Sequence, residues 1–526
     1  MKDFQRILRA MSRPDFYPHK PASVKVVQTH ISAVFIAGDL VYKVKKPVNF
    51  GFLNFSSLGK RRYYCQQEVI LNSRFSEEIY QSVVSIYDDK GVLNLEGRGE
   101  EVEFAVLMRR IPEEHIMVNM LEQDVITLDI LDQLGQRLSE LHGRAQTSEV
   151  ISSYGSMPVI YQNLRENFLQ TERFVPHILP KRLYEETVKL SNDFLEEHED
   201  LFSKRVREGF IRDCHGDLRP DHIVFEKKIM IIDCIEFNDR FRFGDTASDL
   251  SFLLMDLDYR GYPGFSRRIQ ERYAAVSEDH DIVKLIPFYK SYRAFVRAKV
   301  HCFALDESEI SDEDKVIHAE QARNYFKLSL SYFKPAPPPA LIITYGFTGT
   351  GKSYLSAKLA KRLGVTVIRS DVIRKQSCGI SAAEGKLDNY GTGIYTPSTT
   401  ESIYQKMFAE AEQHLGRGDS IILDASFLKI SHRQRAAEIA QCFKAVFIIV
   451  ECVAPVEIVR RRIEKRLRER TDPSDGRWEI YVRQQEVFDA IQEQEIPHLR
   501  KWDSCESPKG FLQSLVKELM FWRLSD

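Results

Sequence analysis

The sequence predicts two domains of different class. The first is an α+β domain, with a small β-rich lobe followed by a larger helical lobe. The second is an α/β domain with a parallel sheet covered by helices on both faces. Three observations carry this. Lys334-Pro335-Ala336-Pro337-Pro338-Pro339-Ala340 sets four prolines in five positions, which suits an extended spacer and excludes a helix or central strand. Ahead of it, strand-like alternation gives way to long helical periodicities. Behind it, short apolar runs alternate with helical stretches, as parallel sheets require. The chain therefore divides into 1–333, a spacer at 334–340, and 341–526.

Length and composition agree. The 526 residues exceed one ordinary core. With 43% hydrophobic and 29% charged residues, the chain is globular rather than disordered or fibrous. A net charge of −2 gives no overall basic footprint, so nucleic-acid binding would need a local patch. No apolar run approaches the roughly 20 residues that span a bilayer. The first thirteen residues lack the apolar core of a secretory signal. Eight scattered cysteines without a CxxC pair point to a reduced, cytoplasmic protein.

In the first domain, Ala33–Ala37, the turn Gly38-Asp39 and Leu40–Lys45 read as a hairpin, with Lys43 and Lys45 on one face of its second strand. Arg61–Ser73 has helical period and contains Glu68. Val102–Met108 reads as a strand, Leu128–His142 and Leu183–His198 as helices, and Phe210–Ile235 as a second strand-rich island. In the second domain, Leu341–Tyr345, Val365–Ile368, Ser420–Leu423 and Ala445–Glu451 have strand length. Ser353–Leu363 and Thr400–Leu415 are helical.

Gly346-Phe347-Thr348-Gly349-Thr350-Gly351-Lys352-Ser353 fits GxxxxGK[ST] in full, between a strand and a helix. Such a loop turns backbone N–H groups, those of Gly346, Thr348, Gly349, Thr350 and Gly351 among them, toward phosphate oxygens. Lys352 would reach the β- and γ-phosphates of ATP, and Ser353 would hold Mg²⁺. Asp371 follows the second strand, beyond whose carboxyl end ligands sit, and is placed to take a proton from a hydroxyl. Asp424 ends an apolar strand and would support Mg²⁺. The basic run Arg460–Arg470 reads as a lid whose arginines, Arg466 and Arg470 first, would meet the transferring phosphate. These residues, with Arg374, Arg433 and Asp472-Pro473-Ser474-Asp475, make residues 340–500 similar to the P-loop kinases of the polynucleotide-kinase and zeta-toxin group. The resemblance implies that Asp371 is the base toward a substrate hydroxyl.

Cys214-His215-Gly216-Asp217-Leu218-Arg219-Pro220-Asp221-His222, followed by Ile231-Ile232-Asp233, has the spacing of a kinase catalytic loop and its later metal-binding acid. Asp217 would orient or deprotonate the acceptor hydroxyl, His215 would shape the loop, and Asp233 would bind Mg²⁺. Lys43, paired with Glu68, would position the α- and β-phosphates, with Lys45 the runner-up. Leu107–Ile111 falls where a hinge between lobes is expected. Residues 25–300 thus resemble the aminoglycoside phosphotransferase and choline kinase group, which shares the protein-kinase-like bilobal fold. The resemblance extends to Phe243-Gly244-Asp245 and to Asp249, which would brace the catalytic loop. Two features depart from it. His222 stands where the family has an Asn metal ligand, and imidazole suits Mg²⁺ poorly. Gln28–Val34 holds no glycine-rich loop. A zinc site from Cys214, His215, His222 and Cys234 lacks ligand-pair spacing.

The expectation is an ATP-dependent phosphotransferase with two kinase-like domains and a small-molecule hydroxyl as acceptor. The alternatives are a nucleic-acid 5′-hydroxyl kinase and an ATP-driven switch with a degenerate N-terminal domain. The acceptor itself and the oligomeric state are not legible in the sequence.

Overall fold

A computed structural model describes residues 2–307, 310–377, 396–469 and 477–524. The chain's internal contacts divide it into two units. One comprises Met1–Asp256 with Arg268–Phe333, and the other Lys334–Asp526 with the short stretch Leu257–Arg267.

The first unit opens with a helix, Lys2–Met11, and then forms a six-stranded sheet. Its strands are β1 (Val24–Gln28), β2 (Ser32–Ala37), β3 (Leu40–Lys45), β4 (Tyr80–Asp89), β5 (Val92–Asn94) and β6 (Glu100–Arg109). Their order is β1-β2-β3-β6-β4-β5 and every pairing is antiparallel. The hairpin predicted around Gly38-Asp39 is there, with Ala37 opposite Leu40 and Gly38 at φ +66°. Ala33, Phe35, Tyr42 and Val44 are buried in the lobe's core with Phe4 and Ile7 of the first helix. The helix Leu58–Ser76, capped by the Ser57 side chain, carries Glu68.

The helical lobe follows, with Leu128–Arg144, Lys181–Glu197 and Ile282–Ala304 among its longer helices. Within it, β7 (Ile211–Asp213), β8 (Ile223–Phe225), β9 (Ile229–Ile231) and β10 (Phe243–Asp245) form two short antiparallel ribbons, β7 with β10 and β8 with β9. The HGD segment lies between β7 and β8, and Asp233 follows β9.

The second unit has a five-stranded, wholly parallel sheet of β11 (Ala340–Tyr345), β12 (Thr366–Arg369), β13 (Ile421–Asp424), β14 (Val446–Val453) and β15 (Leu499–Asp503). Their order is β12-β13-β11-β14-β15. The central strand β11 is buried at every residue, and two separate apolar clusters cover the sheet, as burial on both faces demands. The P-loop and Asp424 both lie at the carboxyl ends of strands, β11 and β13, and Asp371 lies just beyond β12. Among the described residues, no helix is long and apolar enough to cross a membrane.

Candidate active sites

In the second unit, the loop after β11 bends on glycines that no other residue replaces cheaply. Gly346, Gly349 and Gly351 have φ of +140°, +81° and +97°. A Cβ on Gly346 would lie 2.6 Å from the Cys452 carbonyl oxygen, and one on Gly349 would lie 2.9 Å from Val459 Cγ1. The helix Lys352–Leu363 starts directly after the loop. Lys352 Nζ donates to the Phe347 carbonyl at 2.7 Å, so it is folded over the loop it serves. Burial lowers its pKa, against the pull of Asp424. Thr350 also closes on the Phe347 carbonyl through its hydroxyl, at 2.8 Å. The Thr348 amide donates to Gln484 Oε1 at 2.8 Å, a partner from the helix Trp478–Glu486.

Asp424 is 4% exposed. Burial raises its pKa, while a hydrogen bond from Ser353 and the charge of Lys352 oppose that rise. Arg369 Nε stands 3.3 Å from its Oδ2. Asp371 is in the first turn of the helix Ser370–Ser377. Lys352, Ser353, Asp371, Asp424 and Arg466 line one cavity of about 390 Å³, open to solvent. Arg466 Nη2 lies 3.5 Å from Thr348 Oγ1, which brings the predicted lid helix onto the P-loop. Arg470 and Asp472–Asp475 lie outside the described residues.

Arg374, Thr400 and His432 line the same cavity. Arg433 does not. It is 1% exposed and its guanidinium binds Glu495 together with the carbonyls of Phe427, Leu428, Asp489 and Ala490. It holds loops together rather than facing a phosphate.

In the first unit, the HGD loop is fixed from behind. Asp249 accepts the backbone N–H groups of His215 (3.1 Å) and Gly216 (2.8 Å) and a contact from His142 Nε2 (3.2 Å). His215 is 1% exposed; its Nε2 meets the Ile232 carbonyl at 2.9 Å and its Nδ1 accepts from the Asp217 amide at 3.3 Å. That pattern fixes a neutral tautomer, and burial pushes its pKa down to about 4. Asp217 is held at both oxygens by Arg219, at 2.9 and 3.2 Å. Burial works against its charge, but Arg219 and His222 prevail and its pKa falls to about 2.

Asp233 sits in the left-handed region at φ +62°. Its amide donates to the Tyr80 hydroxyl at 2.9 Å, and the next amide, of Cys234, donates to Asn72 Oδ1 at 2.8 Å. Lys43 Nζ bridges Asp233 Oδ1 at 2.6 Å and Glu68 Oε1 at 2.8 Å. Burial opposes the Asp233 charge, yet Lys43 and His222 hold its pKa well below the carboxylate range. Lys45 points to the same glutamate, 2.6 Å from Glu68 Oε2, and also pairs with Glu236. His222 Nδ1 donates to the Asp217 carbonyl, 2.8 Å away, and its Nε2 is 3.7 Å from Asp233 Oδ2.

The sequence reading thus placed Lys43, Glu68, Asp217, His222 and Asp233 in one site, and the chain brings them together. It missed Glu236, Arg219, Tyr80 and Asn72 here, and Gln484 in the second unit. The spacing of HGD to Asp233 fixes where the acid falls, but no local pattern marks Tyr80, Asn72 and Glu236, which lie 153, 162 and 191 positions from their partners; Arg219, two residues from Asp217, lies inside the motif, but the motif spacing gives it no role. Cys214 and Cys234 are buried and unpaired. Among the described residues, the one close His/Cys/acid group is His142, Cys214 and Asp249, not the set around His222. Asp249 there is already engaged by two amides and His142.

Comparison with known proteins agrees with this geometry. The model of the phosphotransferase enzyme family matches residues 65–286, and that of an AAA domain matches 341–491. Uncharacterized proteins from Mycobacterium bovis and from two strains of Mycobacterium tuberculosis are each 30% identical over 447 residues, covering 84% of this chain and 86% of theirs. The chain belongs to their family. Its N-terminal domain is of the phosphotransferase family and its C-terminal domain is a P-loop kinase domain, which together support a phosphotransfer function. Among solved structures, the GDP complex of aminoglycoside 2′-phosphotransferase-IIIa is 17% identical, covers 60% of this chain and 97% of that one, and has a TM-score of 0.37. A gluconokinase from Sinorhizobium meliloti is 18% identical, with 36% and 95% coverage and a TM-score of 0.24.

Proposed function

We propose that the C-terminal domain transfers the γ-phosphate of ATP to a hydroxyl of a small molecule, with Asp371 as base. The observation that carries this is the shared cavity: the P-loop lysine, Asp371, Asp424 and Arg466 all line one space. An acceptor hydroxyl entering it meets a carboxylate at the end of β12 and a phosphate held by backbone amides. Asp371 takes the hydroxyl proton as the oxygen attacks phosphorus. Lys352 and Arg466 supply fixed positive charge where charge builds on the transferring group. Ser353 and Asp424 fit Mg²⁺, since both offer oxygen and they are hydrogen-bonded to each other. Bound there by Ser353 and Asp424, Mg²⁺ would neutralise phosphate charge.

The N-terminal domain is proposed to handle nucleotide by similar means, with Lys43 on the phosphates and Asp217 at the acceptor. With a pKa of about 2 and Arg219 on both oxygens, Asp217 orients a hydroxyl better than it stores its proton. Its metal set fits less well than the P-loop pair. Asp233 offers oxygen, but His222 offers nitrogen to a hard cation.

The test is mass spectrometry of hydroxyl-compound pools incubated with ATP and protein. A phosphorylated product made by wild type and lost in Lys352→Ala supports the reading. In Asp371→Asn, turnover falls by about 10²–10⁴ while nucleotide still binds; unchanged turnover removes Asp371 from the role. Product on oligonucleotide ends, with binding that weakens steeply in salt, would shift the acceptor to nucleic acid. ATP hydrolysis without any phosphorylated acceptor would favour a switch.

A further inference from the structure

The helix Ile282–Ala304 sets Arg293, Arg297 and His301 at four-residue spacing, one above the other on one face. Arg293 ties that face to the HGD loop. Its Nη1 donates to the Gly216 carbonyl at 3.3 Å and its Nε to the Ser248 carbonyl at 3.2 Å. Arg297, one turn further on, is half-buried and uncommitted. Among the described residues no carboxylate pairs with its guanidinium, and its Nε is buried without an acceptor. Its Cζ lies 5.7 Å from the Tyr325 ring centroid, and His301 stacks on the same ring at 5.5 Å and 16°. The ring supports the guanidinium through its face, and the planar fork of N–H groups suits an oxyanion.

The acids of this region have other partners. Asp217 takes Arg219 on both oxygens, and Asp221 lies 3.5 Å from the same arginine. Asp256 Oδ1 accepts the Tyr325 hydroxyl at 3.3 Å, and Asp249 accepts the amides of His215 and Gly216. Arg297 is therefore a surplus positive charge, and two groups feel it. Burial and then Arg297 push the His301 pKa down to about 3. Burial opposes the Asp217 charge, while Arg219 and His222, with Arg297 after them, favour it. A buried guanidinium N–H without an acceptor is costly, and a bound oxyanion would supply the acceptor that the fold does not.

We propose that the N-terminal domain takes an acidic acceptor: a small hydroxyl compound carrying a carboxylate or phosphate group, which Arg297 holds while the hydroxyl meets Asp217. This rests on the reading that Asp217 faces the acceptor. The Asp217 side chain is 27% exposed, so a hydroxyl reaches it from solvent. An amine-rich acceptor would set its own positive charge against Arg297, a like-charge contact that disfavours it.

The experiment uses the full chain with Lys352→Ala, so that product comes from the N-terminal domain, and Asp217→Asn as the check that it does. Four pools are incubated with ATP and Mg²⁺ and read by mass spectrometry: hydroxycarboxylic acids, sugar and polyol phosphates, neutral sugars and polyols, and amino sugars with amino alcohols. Product is expected from the acidic pools, and the pool that yields it separates carboxylate from phosphate. For that acceptor Arg297→Gln should raise KM by about 10–100-fold without raising the KM for ATP, and Arg297→Lys should recover part of the loss. If Arg297→Gln does not fold, inorganic sulfate in the parent carries the comparison, where it should compete with the acceptor and not with ATP. Product made as well from the neutral or amino pools overturns the proposal. So does an acceptor KM unchanged in Arg297→Gln, one that rises together with the KM for ATP, or sulfate that fails to compete. No product from any pool overturns the phosphotransfer reading of this domain and the proposal with it. Product on uncharged acceptors is distinct from that, since it leaves the phosphotransfer reading standing.

Discussion

Replacing Arg433 by methionine should unfold the C-terminal domain far more easily without touching a phosphate contact. Arg433 Nε and Nη2 hold Glu495 at 2.6 and 3.0 Å. Nη1 reaches the carbonyls of Phe427 (3.0 Å), Leu428 (3.3 Å) and Asp489 (3.2 Å), and Nη2 reaches that of Ala490 (3.1 Å). The guanidinium lies 5.1 Å from the Tyr345 ring centroid, against β11. Methionine keeps the volume and the stem packing but leaves Glu495, 7% exposed, without its cation. Breaking a buried pair at one end costs about 3–5 kcal/mol. Trp478, Trp502 and Trp522 all follow the proline spacer and no tryptophan precedes it, so tryptophan fluorescence reports this domain alone. With a urea slope of roughly 2–3 kcal/mol/M, the midpoint falls by about 1–2 M. Arg433→Met/Glu495→Met should recover part of the loss, with a coupling of at least about 1 kcal/mol, because no buried charge is then stranded. A loss under about 1 kcal/mol, or a double variant equal to the sum of the singles, would refute the reasoning.

Other consequences are testable in the same way. Gly349→Ala places a Cβ 2.9 Å from Val459 Cγ1 at φ +81°, so nucleotide affinity of the P-loop site should fall while the tryptophan-reported stability changes less; unchanged titration curves would count against the loop geometry. His215 is neutral in the fold with its pKa at about 4, against an ordinary value of 6.5. The unfolded chain therefore binds the proton first on acidification, and stability falls with pH across that window, by about 2 kcal/mol between pH 7 and 5 from this residue alone. Urea unfolding followed by circular dichroism should show that slope, and His215→Gln should flatten it; an equal slope in the variant would exclude His215 as its source.

Sequence legibility followed how local the governing physics is. The P-loop was readable because its glycines, lysine and serine act through one turn between β11 and a helix, and all of them fall within eight residues. The β2–β3 hairpin was readable for the same reason. The edge strand β15 was not, because Leu499-Arg500-Lys501-Trp502-Asp503 has one buried residue in five and no apolar run. Glu236 was invisible because its meaning comes from Lys45, 191 positions earlier. Gln484 acquires its role only where a helix brings it to the Thr348 amide, 136 positions away. Arg433 is a different case: the sequence carries it only as part of the P-loop kinase resemblance, and its role comes from Glu495 and four carbonyls that claim its donors.

The two sites are built by different means, and this decides how each should respond to change. The P-loop relies on backbone amides fixed by positive-φ glycines, so its sensitivity is to added Cβ atoms and it tolerates side-chain variation at Phe347 or Thr350 better than at Gly346. The N-terminal site relies on buried side-chain charge. Its ladder of three carboxylates and two lysines keeps its register only while each acid has a cation on hand. Neutralising one member there shifts its neighbours' charges and positions, because coupling among groups in one network is strong and non-additive. Loss of a glycine in the P-loop should therefore act as a local defect, whereas loss of Glu68 should spread to Lys43, Lys45 and Asp233 together.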